Sequence, residues 1–440
     1  MLFWDICSTF AVEMNILALI KSAGVRNFAK LLSANVVAQV IGLIVYPILT
    51  RIYSPEDFGL LNLFLSIGNV LVVLAIADYY YAIVLPKQEK DAVALTHISS
   101  ILLLITVVLV ALSVFFSRPI GLLFKSPSLA TYYWMMPIYV LVMGAWNILN
   151  YWYIRKKSFG RISSYQMSQS ILSAGGKIGL GYAGVLQGGM IYSIVLAPLI
   201  ALLSSLVLNF RKTLRPLLRF SRRDVLTQAQ EYRNFPCFVL PRSFINVMAG
   251  QLPILLLTPF FGAKYVGLLS MALLLGYTPI GTITRALYQV LYQHTTERVH
   301  ASAKIGDVFW RFVGYGSIVI IPIFVGIGIF LPDITAWLLG EEWRVAGEYI
   351  RWMLPWLYVS LLTGSVCYLS DVFMKQKIGL FFEILLAVCR VVGLSIGIVT
   401  KDFTIAIAAY SVGTAIAVLA QLIWLGSLVL RYDRALVNIK

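Results

Sequence analysis

Apolar residues run along this chain in long unbroken stretches, not in the alternation of a half-buried strand or the one-sided stripe of a surface helix. Such stretches lie near 31–50, 59–85, 93–116, 132–153, 162–185, 189–209, 234–260, 266–290, 312–332, 346–369, 378–399 and 403–429. Each is close to the ~20 residues that cross the hydrocarbon core of a bilayer as a helix. The pattern predicts an all-α polytopic membrane protein of about twelve transmembrane helices.

The pattern also repeats. Thr50 to Leu63 reads TRIYSPEDFGLLNL and Thr258 to Met271 reads TPFFGAKYVGLLSM, sharing Thr and then Gly-Leu-Leu at an offset of 208. Trp134-Met-Met-Pro137 returns as Trp352-Met-Leu-Pro355 at 218, and Lys156 to Gly160 as Lys375 to Gly379 at 219. Six spans separate the copies, so both halves point the same way across the membrane. The expected arrangement is two parallel six-helix lobes related by a pseudo-two-fold axis along the membrane normal. It divides the chain into a cytoplasmic lead (1–30), an N-lobe (31–209), a basic linker (210–233), a C-lobe (234–429) and a tail (430–440).

Composition agrees. Hydrophobic residues make up 60% of the 440 and charged residues 12%, with a mean hydropathy of +0.86. Soluble domains average about a quarter charged residues, so a soluble enzyme is excluded. The net charge of +16 could suggest a nucleic-acid partner, but its placement argues otherwise. Twenty-four of the 35 Lys+Arg fall at the two ends and in loops on one side of the spans, against six in the opposite loops. By the positive-inside rule both termini are cytoplasmic. The segment 210–233 is the most basic loop. It reads as an orientation signal and linker, or as a docking strip for anionic lipid or a glycosyltransferase. Cys7, Cys237, Cys367 and Cys389 form no CxxC, so neither a metal site nor a disulfide framework is expected. The first thirteen residues make a poor signal peptide, and Met14 offers a more ordinary start.

From Tyr46-Pro47 through Gly59 the sequence resembles the polysaccharide transporter branch of the multidrug/oligosaccharidyl-lipid/polysaccharide exporter superfamily. The lead with Gln39, the segment Tyr80 to Pro86, Gly340-Glu-Glu-Trp343, Ala346-Gly347 and Pro355-Trp356 resemble it too. The resemblance implies two lobes arranged in a V about a central cavity. It further implies a flippase that moves an undecaprenyl-diphosphate-linked oligosaccharide repeat unit, such as an O-antigen, capsule or exopolysaccharide unit, across the bacterial inner membrane. Membrane lipids and a glycan polymerase or glycosyltransferases are its implied partners.

Within the spans stand Lys177, Arg242, Arg285, Arg351 and Arg390, with Asp78 and Glu383 as the acids. A charge at the centre of a helix costs about 2.5–3.5 kcal/mol on insertion scales, so such groups face a wet cavity or a partner. Arg351 is near a span end and is expected to snorkel. Arg242 and Arg285, with Asp78 at matching depth, are expected about 10–12 Å in from the cytoplasmic side. Arg242 and Arg285 are the candidate receivers of the diphosphate, since a planar guanidinium suits phosphate oxygens. Arg390 and Lys177 could take the headgroup onward. The competing reading pairs Asp78 with Arg285 as mutual neutralisation. Asp78 and Glu383 are candidates for proton or Na⁺ coupling, or for orienting a nearby arginine. No cofactor, metal or catalytic residue is expected.

Pro241 and Pro253 mark span seven as the candidate hinge. Gly175-Gly176-Lys177-x-Gly179-x-Gly181 reads as a close-packing stretch. Tyr79-Tyr80-Tyr81 and Tyr151-Trp152-Tyr153 read as an interfacial aromatic belt or as sugar-stacking surfaces. Two rivals remain: a drug/cation antiporter of the same superfamily, and a polytopic glycan polymerase or ligase. The chain holds more intramembrane bases than acids, and its outward loops near 117–131 and 333–345 are short.

Overall fold

The structure is a computed structural model that describes residues 45–210, 214–218 and 220–439, with the side chains of 437–439 excepted. The lead, Gln39, most of the first expected span and Arg211, Lys212 and Arg219 lie outside the described residues. Residues 45–52 are helical.

Every regular element among the described residues is helical. In chain order they are α1 (Pro55–Ile76), α2 (Glu89–Leu123), α3 (Met136–Arg155), α4 (Phe159–Tyr182), α5 (Leu186–Asn209) and α6 (Arg222–Glu231). Then follow α7 (Phe235–Phe261), α8 (Ala263–His300), α9 (Gly306–Leu339), α10 (Arg344–Val366), α11 (Gln376–Thr400) and α12 (Phe403–Ile439). Among the described residues nine helices are long and apolar enough to cross a membrane: α1, α2, α5 and α7–α12. The chain is a multi-pass membrane protein. At 20 and 24 residues α3 and α4 have the length as well. Asn147 and Asn150 dilute the first, and Ser163, Ser164, Gln166, Ser168, Gln169 and Ser170 the second.

Some boundaries differ from the apolar runs. α1 begins with a capping box: Asp57 accepts from the Ser54 backbone N–H (2.9 Å) and Ser54 Oγ accepts from the Asp57 N–H (3.3 Å), with Pro55 between them. It stops at Ile76, not near residue 85. Ala77 and Asp78 turn left-handed, and Tyr79–Val84 forms a 3₁₀ segment. α8, α9 and α12 instead overrun their apolar stretches, because helix-forming polar residues continue the turn. Arg285 therefore lies fifteen residues from the end of α8 at His300, about 22 Å along the axis, and the expected shallow depth no longer follows.

The described chain forms two compact units. One comprises Ile67–Pro119 and Ser128–Met248 with the turn 45–52; the other comprises Tyr53–Ser66, Ile120–Pro127 and Ala249–Lys440. In the first, α2 packs on α3 and α4 on α5, and the 3₁₀ segment sits against α2 and α3. Arg155 secures that segment by donating to the carbonyls of Ile83 (3.1 Å) and Pro86 (2.7 Å). Trp152 and Tyr153 are fully buried, and the Tyr153 hydroxyl meets Ser205 Oγ at 3.0 Å. Of the expected interfacial belt, Tyr79, Trp152 and Tyr153 are core, whereas Tyr80, Tyr81 and Tyr151 are half-buried. The basic joining segment is likewise more than a linker. Ser221 caps α6, which packs on α2, and the Ala229 carbonyl accepts from the Tyr79 hydroxyl at 3.1 Å.

In the second unit α11 packs on α12, and α10 on α8, α9 and α12. Small residues set these approaches, as in other membrane bundles. Gly393 and Gly397 of α11 lie against the backbone of Tyr410 and Ala406 on α12. The Asp433 carboxylate accepts from the N–H groups of Ile305 (3.0 Å) and Gly306 (2.9 Å), tying α12 to the positive end of α9.

The repeat is visible as contacts. A Cβ on Gly59 would overlap the Ala263 carbonyl, and a Cβ on Gly267 would overlap the Pro55 carbonyl. Pro55 corresponds to Ala263 and Gly59 to Gly267 at the offset of 208, so each motif grips the other by the same atoms. Such reciprocal contact is what a two-fold axis produces. Within each copy, Gly68 receives the Tyr139 ring and its counterpart Gly276 receives Leu357. Trp134 and Trp352 are each 48% exposed, whereas Met135 and Met353 beside them are buried.

Candidate functional site

In the first unit the chemistry gathers where α1 ends. Ala77 (φ 46°) and Asp78 (φ 56°) are consecutive left-handed residues without a glycine. Each costs about 1–2 kcal/mol, and such strain collects at sites where the surroundings over-determine the backbone. Asp78 is 1% exposed, and its Oδ2 has no hydrogen-bond partner among the described residues. Ser243 of α7 offers the carboxyl a hydrogen bond, but burial dominates and pushes the carboxyl above the usual carboxylate range. Tyr80, Tyr81 and Tyr151 pack beside it, ring centroids 4.2–5.1 Å apart. A buried acid with a free lone pair, ringed by phenols, can hold a proton or a small cation.

Arg242 directly precedes Ser243, so the fold brings this base and the Asp78 site into one neighbourhood. Arg242 is exposed, and no carboxylate lies within ion-pair distance of it among the described residues. It stands seven residues into α7, about 10 Å, after a π-helical turn over Phe235–Val239. Lys177 is half-buried on α4. The glycines around it divide: Gly176 lies against Ser193 of α5, whereas Gly175 and Gly179 have nothing within 4 Å of a built Cβ. Close packing therefore explains only part of that stretch.

In the second unit Arg390 of α11 is half-buried, with its guanidinium carbon 5.8 Å from the ring centres of both Trp356 (α10) and Tyr410 (α12). Its Nε is buried without an acceptor, and no carboxylate pairs with it among the described residues. Tyr277 stacks on Trp356 at 5.5 Å and 12°. It ends a π-helical turn, Leu273–Tyr277, ahead of Pro279. Glu383, two turns from Arg390 along α11, is exposed. Arg285 is exposed on α8 and, like Arg390, has no ion pair among the described residues. The aromatic setting of Arg390 was not read from the sequence; Pro355-Trp356 and the Tyr277-Thr-Pro279 step were its traces there. Among the described residues no group of His, Cys, Asp or Glu is arranged to hold a metal ion.

A family described as "Polysaccharide biosynthesis protein" matches residues 48–348, more than half of the chain. The chain belongs to this family. A curated relative, the succinoglycan biosynthesis transport protein ExoT of Rhizobium meliloti (strain 1021), is 21% identical over 301 residues. That match covers 68% of this chain but only 59% of the relative. Among solved structures, an inward-facing multidrug resistance transporter of the MATE family superposes with a TM-score of 0.67 at 15% identity, over 90% of this chain and 96% of its own. The lipid II flippase MurJ, in an inward closed conformation, superposes with a TM-score of 0.68 at 12% identity, over 93% and 92%. At these identities the two structures establish the fold alone: an all-α polytopic transporter fold carried by a polysaccharide biosynthesis family member.

Proposed function

We propose that this chain translocates a lipid-linked oligosaccharide, an undecaprenyl-diphosphate-linked repeat unit, across the bacterial inner membrane by alternating access between two lobes, with both termini cytoplasmic. The observation that carries the reading is the set of arginines in apolar helices that no carboxylate neutralises among the described residues: Arg242, Arg285 and Arg390. A base in a membrane helix without a protein partner is stabilised by an anion that arrives and leaves. Family membership supports a glycan precursor as that anion's carrier. The MATE and MurJ folds match equally well, so they leave the choice between drug antiport and lipid flipping to the family and to the surplus of bases.

In this scheme Arg242 and Arg285 receive the diphosphate, and Lys177 and Arg390 serve the passage of the headgroup. Asp78, buried and with one carboxyl oxygen unpartnered among the described residues, is the better placed carrier of a coupling proton or Na⁺; Glu383 is exposed. The product would pass to a glycan polymerase.

The test is deletion and restoration of the gene in its host. Loss of surface glycan with unpolymerised lipid-linked units facing the cytoplasm is expected. Units that reach the outer leaflet but stay unpolymerised would make the protein a polymerase-type enzyme. Unchanged glycan with sensitivity to cationic drugs would make it an antiporter.

A further inference from the structure

Four helices of the second unit converge on Arg390, and what they supply is aromatic. Trp356 and Tyr410 lie side by side against the guanidinium, each ring centre 5.8 Å from its carbon, and Trp356 touches Tyr410 edge-on at 5.5 Å. Trp356 and Tyr410 are buried, at 3% and 6% exposure. Tyr277 differs: one face lies on Trp356, and the residue is 48% exposed, so its other face is open. The cluster thus holds a fixed cation next to an open aromatic face.

We propose that Arg390 and Tyr277 form a subsite for an acidic sugar of the translocated oligosaccharide, a residue bearing one carboxylate. The sugar's C–H face lies on Tyr277, and its carboxylate meets the edge of the Arg390 guanidinium. The proposal rests on the transport reading above and narrows its substrate.

Three features select this ligand. With both rings to one side, the guanidinium keeps an N–H edge for recognition, and an edge presents the parallel N–H fork that a planar carboxylate accepts. Among the described residues the cluster contains a single base, whereas a diphosphate carries more than one negative charge and is ordinarily clamped by several donors. The diphosphate is therefore left to the other arginines. Depth excludes a phospholipid headgroup. Arg390 lies ten residues from the Thr400 end of α11, about 15 Å, near the middle of a ~30 Å hydrocarbon core. The two cation–π contacts hold the guanidinium in place before the sugar arrives, so less rotamer freedom is lost on binding.

The full-length protein in lipid nanodiscs can be titrated with methyl β-D-glucuronoside, methyl β-D-glucoside and inorganic pyrophosphate, with binding read by saturation-transfer NMR. Wild type should bind the glucuronoside more tightly than the neutral glucoside. Tyr277→Ala and Arg390→Lys should each weaken the glucuronoside by about tenfold or more, while Tyr277→Phe keeps it. Pyrophosphate binding should be unchanged in all three. Equal glucuronoside binding by wild type and Arg390→Lys would overturn the proposal. So would a tenfold loss of pyrophosphate in Arg390→Lys, which would assign the diphosphate to this arginine. Should Tyr277→Ala fail to fold, the Tyr277→Phe and Arg390→Lys pair still decides. The readout is independent of transport. Glucuronoside binding without any glycan defect on gene deletion would sink the transport reading alone, and a glycan defect without glucuronoside binding would sink this subsite alone.

Discussion

α1 and α8 begin as copies and end as opposites. Their first turns grip one another reciprocally through Gly59 and Gly267, and one turn pair further on Gly68 and Gly276 receive equivalent side chains. Then α1 breaks at Ile76 into two left-handed residues and a 3₁₀ segment, whereas α8 passes through a π turn and continues to His300. One position apart in the repeat past that divergence, the first copy buries an acid, Asp78, and the second exposes a base, Arg285. The shared portion holds backbones together. The portion that differs carries the charge, and duplication has freed it to do so.

The comparison breaks most sharply at the crossing. Gly59→Ala and Gly267→Ala each drive a methyl group into a backbone carbonyl, which cannot swing aside. Each should cost about 3 kcal/mol or more and abolish a monodisperse peak in size-exclusion chromatography. Gly281→Ala, with open space around it, should be neutral or slightly stabilising. If only one of the two glycines matters, the reciprocal contact is not symmetric in energy.

The second pair should be unequal. A Cβ at Gly68 comes within 2.5 Å of the Tyr139 ring, but one at Gly276 stays 3.2 Å from the Leu357 methyl. Gly68→Ala should therefore lower the thermal midpoint more than Gly276→Ala, by about 1–2 kcal/mol in free energy.

Acid and base should part in pH dependence. The unfolded-state carboxyl of Asp78 titrates near 3.8, and burial raises it in the folded protein. A raised carboxyl binds its proton more tightly when folded. Its contribution is full below 3.8 and is lost as pH rises through the folded-state value. Thermal midpoints of wild type should fall across that window, and Asp78→Asn should remove the slope. Arg285→Ala, at an exposed position, should shift stability by no more than about 0.5 kcal/mol at any pH. An equal pH response from the two variants would erase the contrast between the copies.

Much of this architecture was legible beforehand. Apolar run lengths identify the long helices, and the Gly-Leu-Leu echo finds the two residues on which the copies cross. What escaped was local. Nothing in Ala77-Asp78 announces a left-handed pair, since neither residue is glycine, and the apolar run carries on through the break to Leu85. The polar tail of α8 from Leu291 hides a continuing helix, because hydropathy measures lipid compatibility and not helical propensity. Tyr151 and Trp152 look alike to any belt rule, yet Trp152 is fully buried and Tyr151 is not. The Arg390 cluster draws on four helices separated by up to 133 positions, and no spacing rule reaches that far.

The capping box at Ser54–Asp57 opens a segment, Tyr53–Ser66, whose packing partners Ala263 and Gly267 are about two hundred residues further along the chain. A ribosome adds about 5–20 residues each second, so this segment leaves the tunnel on the order of ten seconds or more before Ala263 and Gly267 exist to receive it. During that interval Gly59 and the exposed Pro55 carbonyl form an open seam within the lipid. A nascent chain in that state is the form in which a second copy, or an assembly factor, would find a surface that the finished molecule no longer offers.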